Sequence, residues 1–176
     1  GFSDNNLENF DERYVFNRLD YNMRMSDIQA SFGLIQVRRL NGLNKKRIAI
    51  AKYYNKNLSE KTKANLELPP LEFDDRLHTY YTYPMLLKKG SKVDRKELAH
   101  YLEAHGVETR AIMCGTLPDQ PCLSKAPGRS AGDLKVSRYI RDRGFFIGSH
   151  PGLRKQDLEY TVNVMNNYFE HVNSRT

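Results

Sequence analysis

The sequence has no tryptophan and only two cysteines, Cys114 and Cys122, among its 176 residues. The two lie eight positions apart with no CxxC pair, so neither a zinc-ligand spacing nor a disulfide framework is signalled. Reduced thiols in the cytoplasm are the simplest reading. No run approaches the ~18 uninterrupted apolar residues that a spanning helix needs, which excludes a membrane helix. A charged-then-apolar leader is missing too, so nothing marks the chain for export. GxGxxG, the Walker loop, HExxH and GxSxG are all absent. The five histidines (His78, His100, His105, His150 and His171) show no ligand spacing. His100 and His105 fall on different faces of one expected helix and read as surface residues. Cys114 has no histidine beside it in a nucleophile pattern. Spacing alone therefore yields no catalytic residue and no metal ligand.

What is present suffices for a core. Hydrophobic residues make up 39% of the chain, enough for one ordinary domain and too little sequence for two full ones. The formal charge is +7 and the pI about 9.4, which favours anionic ligands such as nucleic acid, acidic lipid or phosphorylated small molecules. The cations are dispersed, however, and the densest group is Lys45-Lys46-Arg47 with Lys52 and Lys56 following. The 11 tyrosines and 8 phenylalanines do not interleave with Lys and Arg as on a single-strand-binding sheet, which disfavours nucleic acid. The chain opens on Gly1 rather than Met, and the expectation is that it belongs to something longer.

Residues 1–25 lack a sustained period and read as an extended arm. Ser26-Asp27-Ile28-Gln29 is a capping box, and the helix it opens carries Ile28, Phe32, Ile35 and Leu40. Asn41-Gly42 is expected to break that helix, with a second, basic one from Leu43 to Leu58. Leu77 to Leu87 is aromatic and β-branched and predicts a strand. Asp94-x-x-Glu97 caps a helix that Gly106 closes. Val107–Met113 predicts a second strand, Cys114–Gly132 a long loop, Asp133–Asp142 a short helix and Phe145–Ile147 a third strand. Leu158, Val162, Met165, Phe169 and Val172 then define an amphipathic C-terminal helix. The expected fold is α+β, a small three-stranded, mostly antiparallel sheet flanked by helices. Its expected parts are an arm over 1–25, connecting helices over 26–60 and a small α+β domain over 61–176.

Several of these stretches, in fixed order, resemble one family. Asp20-Tyr21-Asn22-Met23-Arg24-Met25-Ser26-Asp27-Ile28-Gln29-Ala30-Ser31 is similar to the GYNxRMxDIQAA signature of DegT-type nucleotide-sugar aminotransferases, which are fold-type I pyridoxal-phosphate enzymes. A helix with Ala51-x-Tyr53-Tyr54 follows, then His78-Thr79-Tyr80-Tyr81-Thr82-Tyr83-Pro84, Gly106-Val107-Glu108-Thr109-Arg110, and Gly148-Ser149-His150-Pro151-Gly152-Leu153. The last element, with Gly115-Thr116-Leu117 and Gln120-Pro121, looks most like the branch containing the keto-deoxyhexose dehydratases. Asp20 stands where the family has glycine, and Thr116 where the dehydratase-like members often have Asn.

The resemblance spans nearly the whole chain but only the C-terminal portion of such enzymes. It implies a larger domain upstream, holding the Schiff-base lysine (or the histidine that replaces it) and the aspartate that pairs with the pyridinium nitrogen. It further implies pyridoxal or pyridoxamine 5'-phosphate as cofactor, a nucleotide-linked keto-deoxysugar as substrate, a cytoplasmic homodimer, and a role in lipopolysaccharide or antibiotic-sugar biosynthesis. By this resemblance Asn22 and Arg24 contact the cofactor phosphate, while His78, Tyr80, Arg110 and Gln120 lie at the substrate. No residue of this chain is implied to be catalytic. A stand-alone interaction subunit and a basic nucleic-acid-binding module are the alternative readings.

Overall fold

The structure, a computed structural model, describes residues 21, 23, 25–112, 116–121 and 128–172. Asn22, Arg24, Cys114 and Cys122 lie outside them. Two compact units divide the chain, 1–39 and 40–176.

In the first unit the capping box forms as the sequence predicts. The Ser26 backbone N–H donates to Gln29 Oε1 at 3.0 Å, and the Gln29 N–H donates to Ser26 Oγ at 3.4 Å. The large apolar side chains described in this unit, Met25, Ile28, Phe32, Leu34, Ile35 and Val37 among them, are exposed.

The helix so opened, α1, runs Asp27–Asn57 without interruption, where two helices were expected. Gly42 costs about 1 kcal/mol in a helix interior, and a Cβ there would meet nothing within 4 Å. That local cost is outweighed by packing farther along, where Ile50, Ala51 and Tyr54 enter the core of the second unit.

In the second unit a four-stranded sheet replaces the expected three strands, and every pairing is antiparallel. After α1 come α2 (Glu60–Asn65), β1 (Leu66–Glu67), β2 (Thr82–Leu87), α3 (Arg95–Ala104), β3 (Thr109–Ala111), a 3-10 turn at Leu117–Asp119, α4 (Lys135–Arg143), β4 (Gly144–Gly148) and α5 (Lys155–Val172). The strand order is β1-β2-β4-β3. Neither α2 nor β1 is long enough to display a period, which is why the sequence reading omits both. Pro84 is tolerated in β2 because β1 pairs only with Leu86 and Leu87, leaving no strand neighbour on that side at Pro84.

The expected strand Leu77–Leu87 shortens to Thr82–Leu87. Tyr80 takes φ +50°, a left-handed backbone that ends extension just ahead of β2. Along β2 the inward residues Tyr83, Met85 and Leu87 alternate with half-buried ones. They share one core with Phe145 and Ile147 of β4, Leu98 and Leu102 of α3, and Leu158, Val162, Met165 and Phe169 of α5. Asp94 caps α3, accepting from the N–H groups of Lys96 and Glu97 at 2.6 and 3.1 Å. Gly106 closes α3 at φ +75°, with its N–H donating to the Glu103 carbonyl and the Val107 N–H to the Leu102 carbonyl, both at 2.9 Å.

Candidate functional site

A cleft of about 800 Å³ opens at one end of the sheet, within the second unit. Its walls come from four places: the start of β2 (Tyr81, Thr82), the end of β4 (Phe146 to His150), the approach to β3 (Gly106 to Glu108, Arg110), and α1 with α5 (Arg47, Tyr54, Tyr160, Thr161). Antiparallel pairing of Thr82 with Gly148, and of Arg110 with Phe146, places these strand ends side by side.

Arg47 ties three of these segments together. Its Nη1 donates to the Tyr81 carbonyl at 2.7 Å and reaches the Ser149 carbonyl at 3.5 Å. Its guanidinium carbon lies 5.4 Å from the centroid of the Tyr81 ring, a cation–π distance. The Ser149 hydroxyl donates to the Tyr80 carbonyl. Ser149 and Tyr80 are both buried, whereas the Tyr81 ring is 81% exposed at the cleft mouth. A tyrosine at positive φ is a strained conformation that persists only where neighbours over-determine it. Here those neighbours are Arg47, Ser149 and the Pro70 carbonyl, which accepts from the Tyr80 hydroxyl.

Several polar groups of the cleft are already engaged. Arg110 donates to Glu108 Oε1 from Nε at 2.9 Å and from Nη2 at 2.7 Å. Asp157 accepts from the Arg154 side chain, which holds its carboxyl below the ordinary range. The Tyr54 hydroxyl donates to the Gly148 carbonyl at 3.4 Å, and burial pushes its pKa up to about 12, so it stays a donor at any physiological pH. Tyr160 donates to the His105 carbonyl at 2.8 Å. The His150 Nδ1 accepts from the Gly152 N–H at 3.0 Å. Among the described residues the lining combines aromatic and aliphatic side chains with His150, two arginines (Arg47, Arg110) and two carboxylates (Glu108, Asp157), and holds no lysine.

Of the residues implied by resemblance, Arg110 lines the cleft. His78 stacks on Phe73 and meets the Tyr80 ring at a tilt of 59°, and its Nδ1 accepts from the Tyr80 N–H at 3.1 Å. Tyr80 is buried, with both hydroxyl and carbonyl bonded inside the protein. Gln120 ends the 3-10 turn, its N–H donating to the Leu117 carbonyl at 3.0 Å. None of these three lines the cleft, and Asn22 and Arg24 lie outside the described residues. Arg47 and Tyr81 escape sequence reasoning as site residues. Arg47 reads as one more charge on a basic helix, and Tyr81 as one more ring in an aromatic strand. Among the described residues there is no cluster of side chains fit to hold a metal ion, and no helix is long and apolar enough to cross a membrane.

Residues 2–166 match the model of the DegT/DnrJ/EryC1/StrS aminotransferase family. The chain is 32% identical over 163 residues to the lipopolysaccharide biosynthesis protein RfbH of Salmonella typhimurium, covering 92% of this chain and 37% of that protein. It is 24% identical to dTDP-4-dehydro-2,6-dideoxy-D-glucose 3-dehydratase of Saccharopolyspora spinosa, covering 87% of this chain and 32% of the relative. Among solved structures, the aminotransferase from Psychrobacter cryohalolentis superposes with a TM-score of 0.80 at 21% identity, over 91% of this chain and 42% of that one. This chain thus spans between 32% and 42% of the length of these three relatives.

Proposed function

The chain belongs to the DegT/DnrJ/EryC1/StrS aminotransferase family, and from that premise we propose that it is the C-terminal part of a pyridoxal- or pyridoxamine-phosphate-dependent enzyme acting on a nucleotide-linked keto-deoxysugar. The observation that carries the reading is the family match across residues 2–166. When bound, the cofactor supplies an electron sink through which a keto group is exchanged for an amine or a hydroxyl is removed. The chain's own residues fit a supporting share of that chemistry. Among the described residues no lysine lines the cleft, so none of them offers an amine there for covalent attachment of the cofactor. Arg47 and Arg110 instead offer guanidinium donors suited to phosphate oxygens.

Asn22 and Arg24, just ahead of α1, are the proposed donors to the cofactor phosphate, at the end of a helix that attracts anions. The exposed apolar side chains of 25–37 support the further reading that this region is buried against more protein, either an upstream domain or a second subunit of a cytoplasmic homodimer. His78 and Tyr80 are proposed to shape the substrate side through the segment that enters β2, and Gln120 to reach the substrate from the 3-10 turn.

The test is made on the polypeptide encoded with this segment. It should carry a cofactor absorbance band near the visible and convert a nucleotide-linked keto-deoxysugar to an amino sugar or a further-deoxygenated one. Asn22→Ala should weaken cofactor retention by about 1.5–3 kcal/mol for each charged hydrogen bond lost. A preparation without a band, which binds no added cofactor, overturns the reading.

A further inference from the structure

The part of α1 that belongs to the second unit carries charge of one sign only. Lys45, Lys46, Lys52 and Lys56 are exposed, and no aspartate or glutamate occurs between Asp27 and Glu60. Lys45, Lys52 and Lys56 follow one another at spacings of 7 and 4, which aligns them on one face of the helix over about 17 Å. Ile50, Ala51 and Tyr54 are buried on the opposite side. Arg47 also turns inward, its guanidinium donating to the Tyr81 carbonyl, so the outer ridge is made of lysine alone. None of the four lysines forms an ion pair among the described residues. The acidic stretch Glu72–Asp75 leaves from Pro69–Pro70, where the Asn55 amide donates to the Pro69 carbonyl at 3.1 Å, but its described ion pair is internal, Asp75 with Arg76.

We propose that this lysine ridge is a docking surface for an anionic phospholipid bilayer. Charge complementarity selects the partner: a straight row of ammonium groups on a convex helix meets a planar sheet of phosphate headgroups along its whole length, and the flexible stems let each charge find one. Nucleic acid is served less well. The ridge has no exposed aromatic ring on which a base could stack, and no arginine fork left to read base edges. Between residues 43 and 58 no large apolar side chain is exposed either, so nothing there inserts among acyl chains. Docking is accordingly peripheral, electrostatic and reversible, each lysine near the surface raising partitioning roughly 5-fold. The cleft uses the other side of the helix, through Arg47 and Tyr54, so a docked chain keeps its cleft free of the membrane-facing ridge.

The test sediments the polypeptide encoded with this segment together with phosphatidylcholine vesicles containing about one-third phosphatidylglycerol, and with vesicles of phosphatidylcholine alone. The expected result is binding to the anionic vesicles only, lost at ~0.5 M salt, where screening shortens to a few ångströms. Lys45→Gln, Lys52→Gln and Lys56→Gln combined should lower partitioning by roughly 100-fold. Lys89→Gln, Lys92→Gln and Lys96→Gln combined remove the same charge from the turn ahead of α3 and its first residues, and should lower it by less than about 3-fold. Both triple variants should keep the far-ultraviolet circular dichroism and the sugar turnover of the wild type. Equal sedimentation with neutral vesicles overturns the proposal by assigning binding to apolar surface. Equal loss in the two triple variants overturns it by reporting net charge alone. Tighter binding to a duplex oligonucleotide than to the anionic vesicles, abolished by the α1 substitutions, overturns it in favour of nucleic acid. The cofactor band and sugar turnover are read separately from sedimentation, so failure here is distinct from failure of the proposed function.

Discussion

Ser149 and Tyr80 stand 69 positions apart in the chain, and the hydroxyl of the first donates to the carbonyl of the second. The bond joins the end of β4 to the strained residue ahead of β2, and both partners are buried.

Removing the hydroxyl in Ser149→Ala leaves the Tyr80 carbonyl without that donor in a site water does not reach. An orphaned buried acceptor costs about 1–3 kcal/mol. Urea unfolding of Ser149→Ala should therefore show a lowered midpoint with an unchanged slope. A midpoint within error of wild type would mean that the carbonyl finds another partner and that the lock is unnecessary.

The same residues explain what the sequence does and does not disclose. Capping at Ser26 and Asp94 and closure at Gly106 are local chemistry, a side chain or a φ angle acting within a few positions, and each forms as its residue types predict. The C-terminal helix is legible for a similar reason, its apolar spacing matching one buried stripe. The end of the first strand is different. Nothing in His78-Thr79-Tyr80-Tyr81 announces that Tyr80 turns left-handed, because its restraints arrive from Arg47, Pro70 and Ser149 only after folding. The continuity of α1 through Asn41-Gly42 is likewise decided by core contacts at Ile50 and Tyr54. Of the family-implied site residues, Arg110 reaches the cleft because strand register carries it there, opposite Phe146.

Gly144 is the second place where backbone geometry constrains the sequence. A Cβ there would overlap the Ile140 carbonyl oxygen and lie 2.6 Å from Ile112 Cδ1. The isoleucine side chain can rotate away, but the carbonyl belongs to the last turn of α4. Gly144→Ala should cost about 1–3 kcal/mol, the usual range for overpacking, and thermal unfolding should show the loss. Ile112→Ala in the same chain should recover only part of it, since the carbonyl overlap remains.

Asp119 joins the 3-10 turn to α4 by accepting from Arg138 and Arg141. The hydrogen bond from Arg138, helped by Arg141, lowers its carboxyl pKa to about 2. An unfolded aspartate titrates near ~3.9, so the folded value is depressed. The stabilisation is then complete above that unfolded value and is lost as pH falls through about 2. Carboxyl carbon shifts should place the Asp119 midpoint well below those of exposed aspartates. In Arg138→Gln the midpoint should rise. A midpoint near ~4 in the wild-type chain would show that the turn is not held by these arginines.

Tyr54 and Tyr83 make the opposite prediction at high pH. Their rings are 4.9 Å apart in the core, and burial raises both hydroxyls, Tyr54 to about 12 and Tyr83 further, with the neighbouring tyrosines opposing its charge. An unfolded tyrosine titrates near ~10. Because the folded values are raised, the contribution is fully present below ~10 and is lost as pH rises through about 12, on the order of 3 kcal/mol for Tyr54. Tyrosinate absorbance should accordingly rise in two waves, with the second coinciding with loss of far-ultraviolet circular dichroism. Tyr54→Phe should remove part of the second wave and, by deleting the bond to the Gly148 carbonyl, lower stability at neutral pH as well. A single wave centred near ~10, with the chain still folded, would mean that water reaches both hydroxyls and that this end of the core is open.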